Sequence, residues 1–315
     1  MNHTFKKTLY LMGTRITLYF KGEESELNVE EASQMLLRFE KIFSANDENS
    51  PIARLKKTAF IEPQRVNSDL FELIKIGREH SLSEDSSLNI AIGPLVKLWR
   101  IGFKEAHVPE HEKIIQILDL LKVDYIILDE KNESVFFLKE GIEIDLGAIA
   151  KGYFCDKIMA FFKKRGAISA MVDIGGNVLV YGESPTDESE WNVGIQNPFL
   201  PRGNLVASVK IKNQSVVTSG IYERVYKKGN NTYHHIFDRK TGYPIENNLA
   251  SLTIIADTSL ECDLYTTKLF GLDIAKILRE VNSIEGMSAI IITKDGRLAH
   301  TDNLKNKITY NTITD

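Results

Sequence analysis

Asp263 and Thr267 stand four residues apart in the stretch ECDLYTTKLF. On a helix that spacing puts a carboxylate and a hydroxyl on one face, and Leu264, Leu269 and Phe270 supply apolar surface for packing. Two readings are open. The acid is satisfied within its own helix with the threonine bonded back to the chain, or the pair offers oxygen ligands to a hard cation such as magnesium, often shared with a phosphate. IDLGAIAKGY (residues 144–153) places Gly147 at a strand-to-helix junction, where the backbone can turn tightly. The helix start beyond it exposes N–H groups and a positive dipole end that favour phosphate, and Lys151 adds a full charge. This is neither a Walker motif nor GxGxxG, and such a junction also occurs as plain structure. In DIGGNV, residues 173–178, a double glycine within an apolar strand reads either as a β-bulge or as room for a flat ring or a phosphate.

TSG at residues 218–220 ends an apolar strand with two hydroxyls, but GxSxG is absent and Ser219 is no nucleophile elbow. HHIFDRKTGYP is more informative. Asp238 to Gly242 has the composition of a turn, and Pro244 stiffens the chain just beyond it. His235 just upstream offers a base, with Asp238 as a carboxylate to orient it, although a histidine on a strand also occurs as plain structure.

Elements that position these residues follow from periodicity. TRITLYF alternates as a strand and belongs to the first strand of the domain, while residues 25–43 carry apolar positions at helical spacing. A short helix is expected near Pro51 to Lys57, another over Ser68 to Leu82 with Ser68 as cap, and one around Glu110 to Leu121. YIILDEKNESVFFLK reads as strand, turn, strand; EIDLGAIAKGYFCDKIMAFFKKRG reads as a strand entering a long helix that Gly166 ends. Strands are further expected in AMVDIGGNVLVYG, WNVGIQN, LVASVKI, SVVTSG, YHHIFD, SLTIIAD and SAIIIT. Strands in hairpin-like succession with a few long helices predict an α+β fold with a largely antiparallel sheet. No Pro-, Gly- or Ser-rich linker interrupts the chain, so residues 1–315 are expected to form a single domain.

Composition excludes several classes. The chain of 315 residues is 43% hydrophobic and 26% charged, the profile of a soluble globular protein. A net charge of −4 argues against a nucleic-acid partner. Cys155 and Cys262, the only cysteines, form neither a disulfide framework nor a zinc pattern and suit a reducing compartment. No stretch has the length of a membrane span, and Arg15 interrupts the short apolar run near the start, so no membrane anchor and a cytoplasmic location are expected.

Taken in order, these stretches resemble the FAD:protein FMN transferase family, also called ApbE. The family's segments stand here as MGT (12–14), FSANDENS, GPLVKLW (93–99), IDLGAIAKGY, DIGGNV, TSGIYER (218–224), HIFDRKTGYP and DLYTT, across nearly the whole chain. The resemblance implies an enzyme that binds FAD with a divalent metal, usually magnesium. It would split the pyrophosphate, join FMN through phosphate to a threonine or serine of an acceptor flavoprotein, and release AMP. It also implies a T-fold-like α+β architecture. The family's metal ligands map onto the Asp263 carboxylate, the Thr267 hydroxyl and the Ala148 carbonyl. Its FAD contacts map onto Met12, Ser44, Asn46, Asn89, Asp145, Lys151, Gly176 and Ile236, and its motif histidine onto His235, a base for the acceptor hydroxyl. Phosphoryl transfer rests on positioning and charge stabilisation, which suits a cation and a lysine at the pyrophosphate.

The chain departs from the pattern in places. Asn89 stands where an acidic residue usually precedes the GPL segment, Asn46 where a tyrosine is common, and Arg239 where a proline is common. Asparagine leaves the flavin edge more open to water than a stacked tyrosine would. A metal-dependent FAD pyrophosphatase giving FMN and AMP is therefore the second reading, and a flavin-binding protein without turnover the third. The family's lipoprotein leader is not seen, so the acceptor is expected within reach of the cytoplasm.

Overall fold

Met12 and Gly13 both take left-handed backbone, with φ of 54° and 70°, and fold the first strand back on itself. Such a two-residue turn matches the natural twist of paired strands. The expected single first strand is thus a hairpin, β1 (His3–Leu11) and β2 (Thr14–Gly22), with Leu11 opposite Thr14. The structure is a computed structural model that describes residues 3–45, 47–186 and 188–311.

Helices α1 (Ser25–Phe43) and α2 (Pro51–Thr58) follow, then β3 (Gln64–Arg65) and α3 (Ser68–Ser81). The cap of α3 is Asn67, whose side chain accepts the N–H groups of Asp69 and Leu70, in place of the expected Ser68. Next come α4 (Gly93–Trp99), α5 (His111–Ile117), β4 (Ile126–Asp129) and β5 (Ser134–Phe137). Residues 142–146 lead toward α6 (Ala150–Lys164) without forming a strand. Beyond lie β6 (Ser169–Ile174), β7 (Asn177–Tyr181), β8 (Trp191–Gln196), β9 (Leu205–Ile211) and β10 (Ser215–Gly220). The last third holds β11 (Val225–Lys228), β12 (Asn231–His234), β13 (Leu249–Ala256), α7 (Ser259–Lys268), α8 (Ile274–Asn282), β14 (Ser288–Thr293), β15 (Leu298–His300) and β16 (Ile308–Tyr310).

Eight strands form the main sheet in the order β1-β2-β6-β7-β10-β13-β14-β15, every neighbour antiparallel. The α+β expectation with a largely antiparallel sheet therefore holds. Side chains on successive residues leave opposite faces. Leu18 and Phe20 of β2 enter a core built against α1, α3 and α6, while Tyr19 enters a second layer with Trp191 and Val209 of the smaller β16-β9-β8 sheet. All eight residues of β13 are buried, because helices cover one face and the small sheet the other.

The double glycine is no bulge. Ile174 pairs with Asn177, so Gly175 and Gly176 (φ 61° and 103°) turn β6 into β7 as a hairpin. At Gly175 a Cβ would collide with the Thr14 side chain, which packs the β1–β2 hairpin beside this turn. Helix α7 joins two cores: Leu264 belongs to the one under α6, and Cys262, with Leu269 and Phe270 just past the helix end, to the one under α8.

Candidate active site

Two helix starts meet at the centre of the site. The N–H of Gly152, in the first turn of α6, donates to Asp263 Oδ2 of α7 at 2.6 Å. Gly152 is required there: a Cβ would lie 2.7 Å from the carbonyl carbon of Ser259 and closer still to its oxygen. The bond has a second effect. Gly152 is the residue whose N–H would bond the Ala148 carbonyl in a continued helix. With that N–H diverted, the Ala148 carbonyl accepts no backbone N–H among the described residues.

Asp263 is 3% exposed, and burial pushes its carboxyl above the usual carboxylate range. Lys151, the Asn177 amide and the Gly152 N–H oppose that rise. The Asn177 amide lies near enough to act on Asp263 without forming a bond, since its buried Nδ2 has no hydrogen-bond partner among the described residues. Its Oδ1 accepts from Lys151 Nζ at 2.7 Å. Asp263 Oδ1 and the Thr267 hydroxyl likewise take no hydrogen bond among the described side chains. The back-bonded threonine of this helix is Thr266, whose hydroxyl donates to the Asp263 carbonyl at 3.0 Å, which leaves Thr267 free.

One carboxylate oxygen, one hydroxyl and one carbonyl without partners suit a hard cation that prefers oxygen. Among the described residues no three His, Cys, Asp or Glu side chains cluster as a metal site. A cation here would keep most of its charge for an anionic ligand.

The remaining expected contact residues each have partners of their own. Met12 and Ser44 are both tied to Glu40, which accepts the Met12 N–H on its carboxylate at 2.7 Å and the Ser44 N–H on its carbonyl at 3.1 Å. Asn46 lies outside the described residues. Asp145 accepts the Gly147 N–H at 2.7 Å and donates its own N–H to the Ile90 carbonyl at 2.8 Å, next to Asn89. Asn89 itself is buried, with Nδ2 on the Leu121 carbonyl and Oδ1 on the Ala91 N–H. Both ends of its amide hold backbone, the work of a structural residue. Gly176 donates its N–H to Asp173 at 2.9 Å and keeps an open face toward Arg202.

His235 follows the last residue of β12, and Ile236 beside it is buried. Burial, the Arg224 guanidinium and the Lys151 ammonium lower the His235 pKa to about 4. Lys151 thus acts on both the carboxylate of α7 and the histidine. The ring Nδ1 lies 3.3 Å from the Arg224 carbonyl. A carbonyl can only accept, so Nδ1 carries the proton and Nε2 keeps its lone pair. The orienting role expected of Asp238 falls to this carbonyl instead, because the Asp238 carboxylate accepts the Lys240 N–H within its own turn at 2.8 Å.

Sequence reasoning passed over Glu40, Asn177 and Arg224, which act through their neighbours. It also passed over Asp156, whose partners on α7 are distant along the chain.

A family model described as the ApbE family matches residues 12–291. The chain belongs to the ApbE family. A protein of Klebsiella pneumoniae (strain 342) named FAD:protein FMN transferase is 37% identical over 93% of this chain and 90% of its own. One of the same name from Treponema pallidum (strain Nichols) is 31% identical over 96% and 88%. The crystal structure of the ApbE protein of Thermotoga maritima superposes with a TM-score of 0.87 at 26% identity, covering 96% of this chain and 98% of that one. The apo flavinyl transferase ApbE of Pseudomonas stutzeri gives 0.82 at 25% identity over 96% and 95%. Among the described residues no helix is long and apolar enough to cross a membrane.

Proposed function

We propose that this ApbE-family chain is a FAD:protein FMN transferase, which moves FMN from FAD to a threonine or serine hydroxyl of an acceptor flavoprotein and releases AMP. One observation carries the reading: the Gly152 N–H holds Asp263 so that its Oδ1, the Thr267 hydroxyl and the Ala148 carbonyl stay without partners among the described residues, next in sequence to Lys151, whose Nζ donates to Asn177 at 2.7 Å.

Asp263, Thr267 and the Ala148 carbonyl would hold a magnesium ion, which would draw charge from the pyrophosphate as the phosphorus is attacked. Lys151 binds and orients the same anion with its ammonium and with its own N–H, the one in the first turn of α6 that takes no partner among the described residues. His235 Nε2 takes the proton of the acceptor hydroxyl, whose oxygen bonds to the FMN phosphorus. The bond from that phosphorus to the AMP phosphate breaks, and AMP carries the charge away. Met12, Ser44, Asp145, Gly176 and Ile236 are proposed to frame the flavin. Two free, buried thiols, Cys155 and Cys262, support a reducing, cytoplasmic setting.

Incubating the protein with FAD, magnesium and a candidate acceptor tests the proposal. Flavin fluorescence that stays on the acceptor through SDS gels, with one AMP released per FMN attached, is the expected result. AMP release without attachment to any acceptor would replace transfer by hydrolysis.

A further inference from the structure

The contact between α6 and α7 is closed by two carboxylates pointing in opposite senses. Asp263 of α7 takes the Gly152 N–H at the start of α6. One turn along α6, Asp156 takes the start of α7: Oδ1 accepts the Ser259 N–H at 2.8 Å and Oδ2 the Leu260 N–H at 2.9 Å. Residues four apart share a helix face, so 152 and 156 on one helix meet 259 and 263 on the other as a closed ring.

Capping alone does not explain Asp156. The Thr258 side chain already caps α7 by accepting the Glu261 N–H at 3.2 Å, and burying an acid is costly. Burial indeed raises the Asp156 pKa to about 6 despite its two donors. What an acid from another helix adds, and a local cap does not, is a fixed register between the two helices. Gly152 and Ser259 are in backbone contact at that point, so α7 has no slack to slide once Asp156 holds its first two N–H groups.

We propose that Asp156 is a positioning residue for the cation site: by pinning the amino end of α7 to α6, it aims the unpaired Oδ1 of Asp263. The inference rests on the magnesium reading of this site. Partners that orient metal ligands from outside the coordination shell are typically worth about 10- to 100-fold in metal affinity.

The test titrates magnesium against Asp156→Asn, which keeps the side chain's shape but turns an acceptor into a donor facing an N–H. Ile158→Val, in the core of the same helix, serves as a control for simple loss of stability. Three readouts are followed: the magnesium concentration giving half-maximal AMP release, the magnesium-dependent rise in melting temperature with FAD present, and FAD binding without metal from flavin fluorescence. Asp156→Asn should raise both magnesium midpoints about 10- to 100-fold and leave metal-free FAD binding near wild type, while Ile158→Val lowers the melting temperature without moving the midpoints. Should Asp156→Asn not fold, Asp156→Glu, with both oxygens on a longer arm, carries the same measurement with a smaller expected rise. Unmoved midpoints in a folded variant, or equal movement in Ile158→Val, overturn the proposal. A wild-type protein indifferent to magnesium would instead overturn the metal reading itself.

Discussion

His235 Nδ1 faces the carbonyl of Arg224 at 3.3 Å, on the residue whose guanidinium also repels a proton from the ring. The carbonyl selects the tautomer and the cation keeps the ring neutral. A base near the ordinary histidine value of about 6.5 would be half protonated just below neutrality; this one, with a pKa lowered to about 4, is not. The acidic limb of kcat/KM set by His235 is therefore expected near pH 4 to 5, and a limb at pH 6.5 that survives in His235→Ala would assign it elsewhere. For stability the sign is the same. The unfolded chain binds this proton more readily than the folded one, so the contribution is complete above pH 6.5 and is lost as pH falls toward 4.

His235→Ala should slow transfer by about 10²- to 10⁴-fold, the usual worth of general-base assistance, with FAD binding retained. His234 makes a poor control for it. That ring is buried, its Nε2 meets the Ile245 carbonyl at 3.0 Å, and its Nδ1 accepts the Ile236 N–H at 3.3 Å. His234→Ala should cost about 1–3 kcal/mol of stability, read by urea denaturation. If it leaves the unfolding midpoint untouched, its buried bonds are worth less than their geometry implies.

Asp263→Ala removes the only charged ligand assigned to the cation. Turnover should fall by more than the roughly 10- to 100-fold typical of losing an outer-shell partner, and added magnesium should not restore it. Thr267→Ala should be milder and should respond to more magnesium, because a water can replace one neutral oxygen. Normal rates for Asp263→Ala at ordinary magnesium would sink the assignment.

Gly152→Ala inserts a methyl against the Ser259 carbonyl, where backbone on both sides cannot rotate away. A loss of about 1–3 kcal/mol is expected from overpacking, together with weaker magnesium dependence as the Gly152–Asp263 bond lengthens. Thermal melts with and without magnesium would separate the two effects; a variant as stable as wild type would mean that α7 can shift.

Local pattern made much of this legible. The helical spacing of residues 25–43 matches α1 (Ser25–Phe43) end for end, since an amphipathic stripe is a property of the segment alone. Wherever the outcome depended on a distant partner, the sequence was mute. A glycine pair has the same composition in a bulge as in a hairpin turn, and only the pairing of Ile174 with Asn177 decides between them. Asp263 and Thr267 were visible as a pair at helical spacing. What makes their oxygens available is not visible: the Gly152 N–H reaches across 111 residues of chain to Asp263. Asp156 was hidden for the same reason, because its partners lie 103 and 104 residues away.

That separation along the chain has a consequence for the protein while it is being made. A ribosome delivers α6, with Lys151 and the glycine that holds the carboxylate, long before it delivers α7. Until Asp263 emerges, the Gly152 N–H has no carboxylate to meet and the proposed cation site lacks its charged ligand. On the proposed mechanism, FAD is not cleaved before that point. The order of synthesis thus makes the proposed activity one of the last properties the chain acquires.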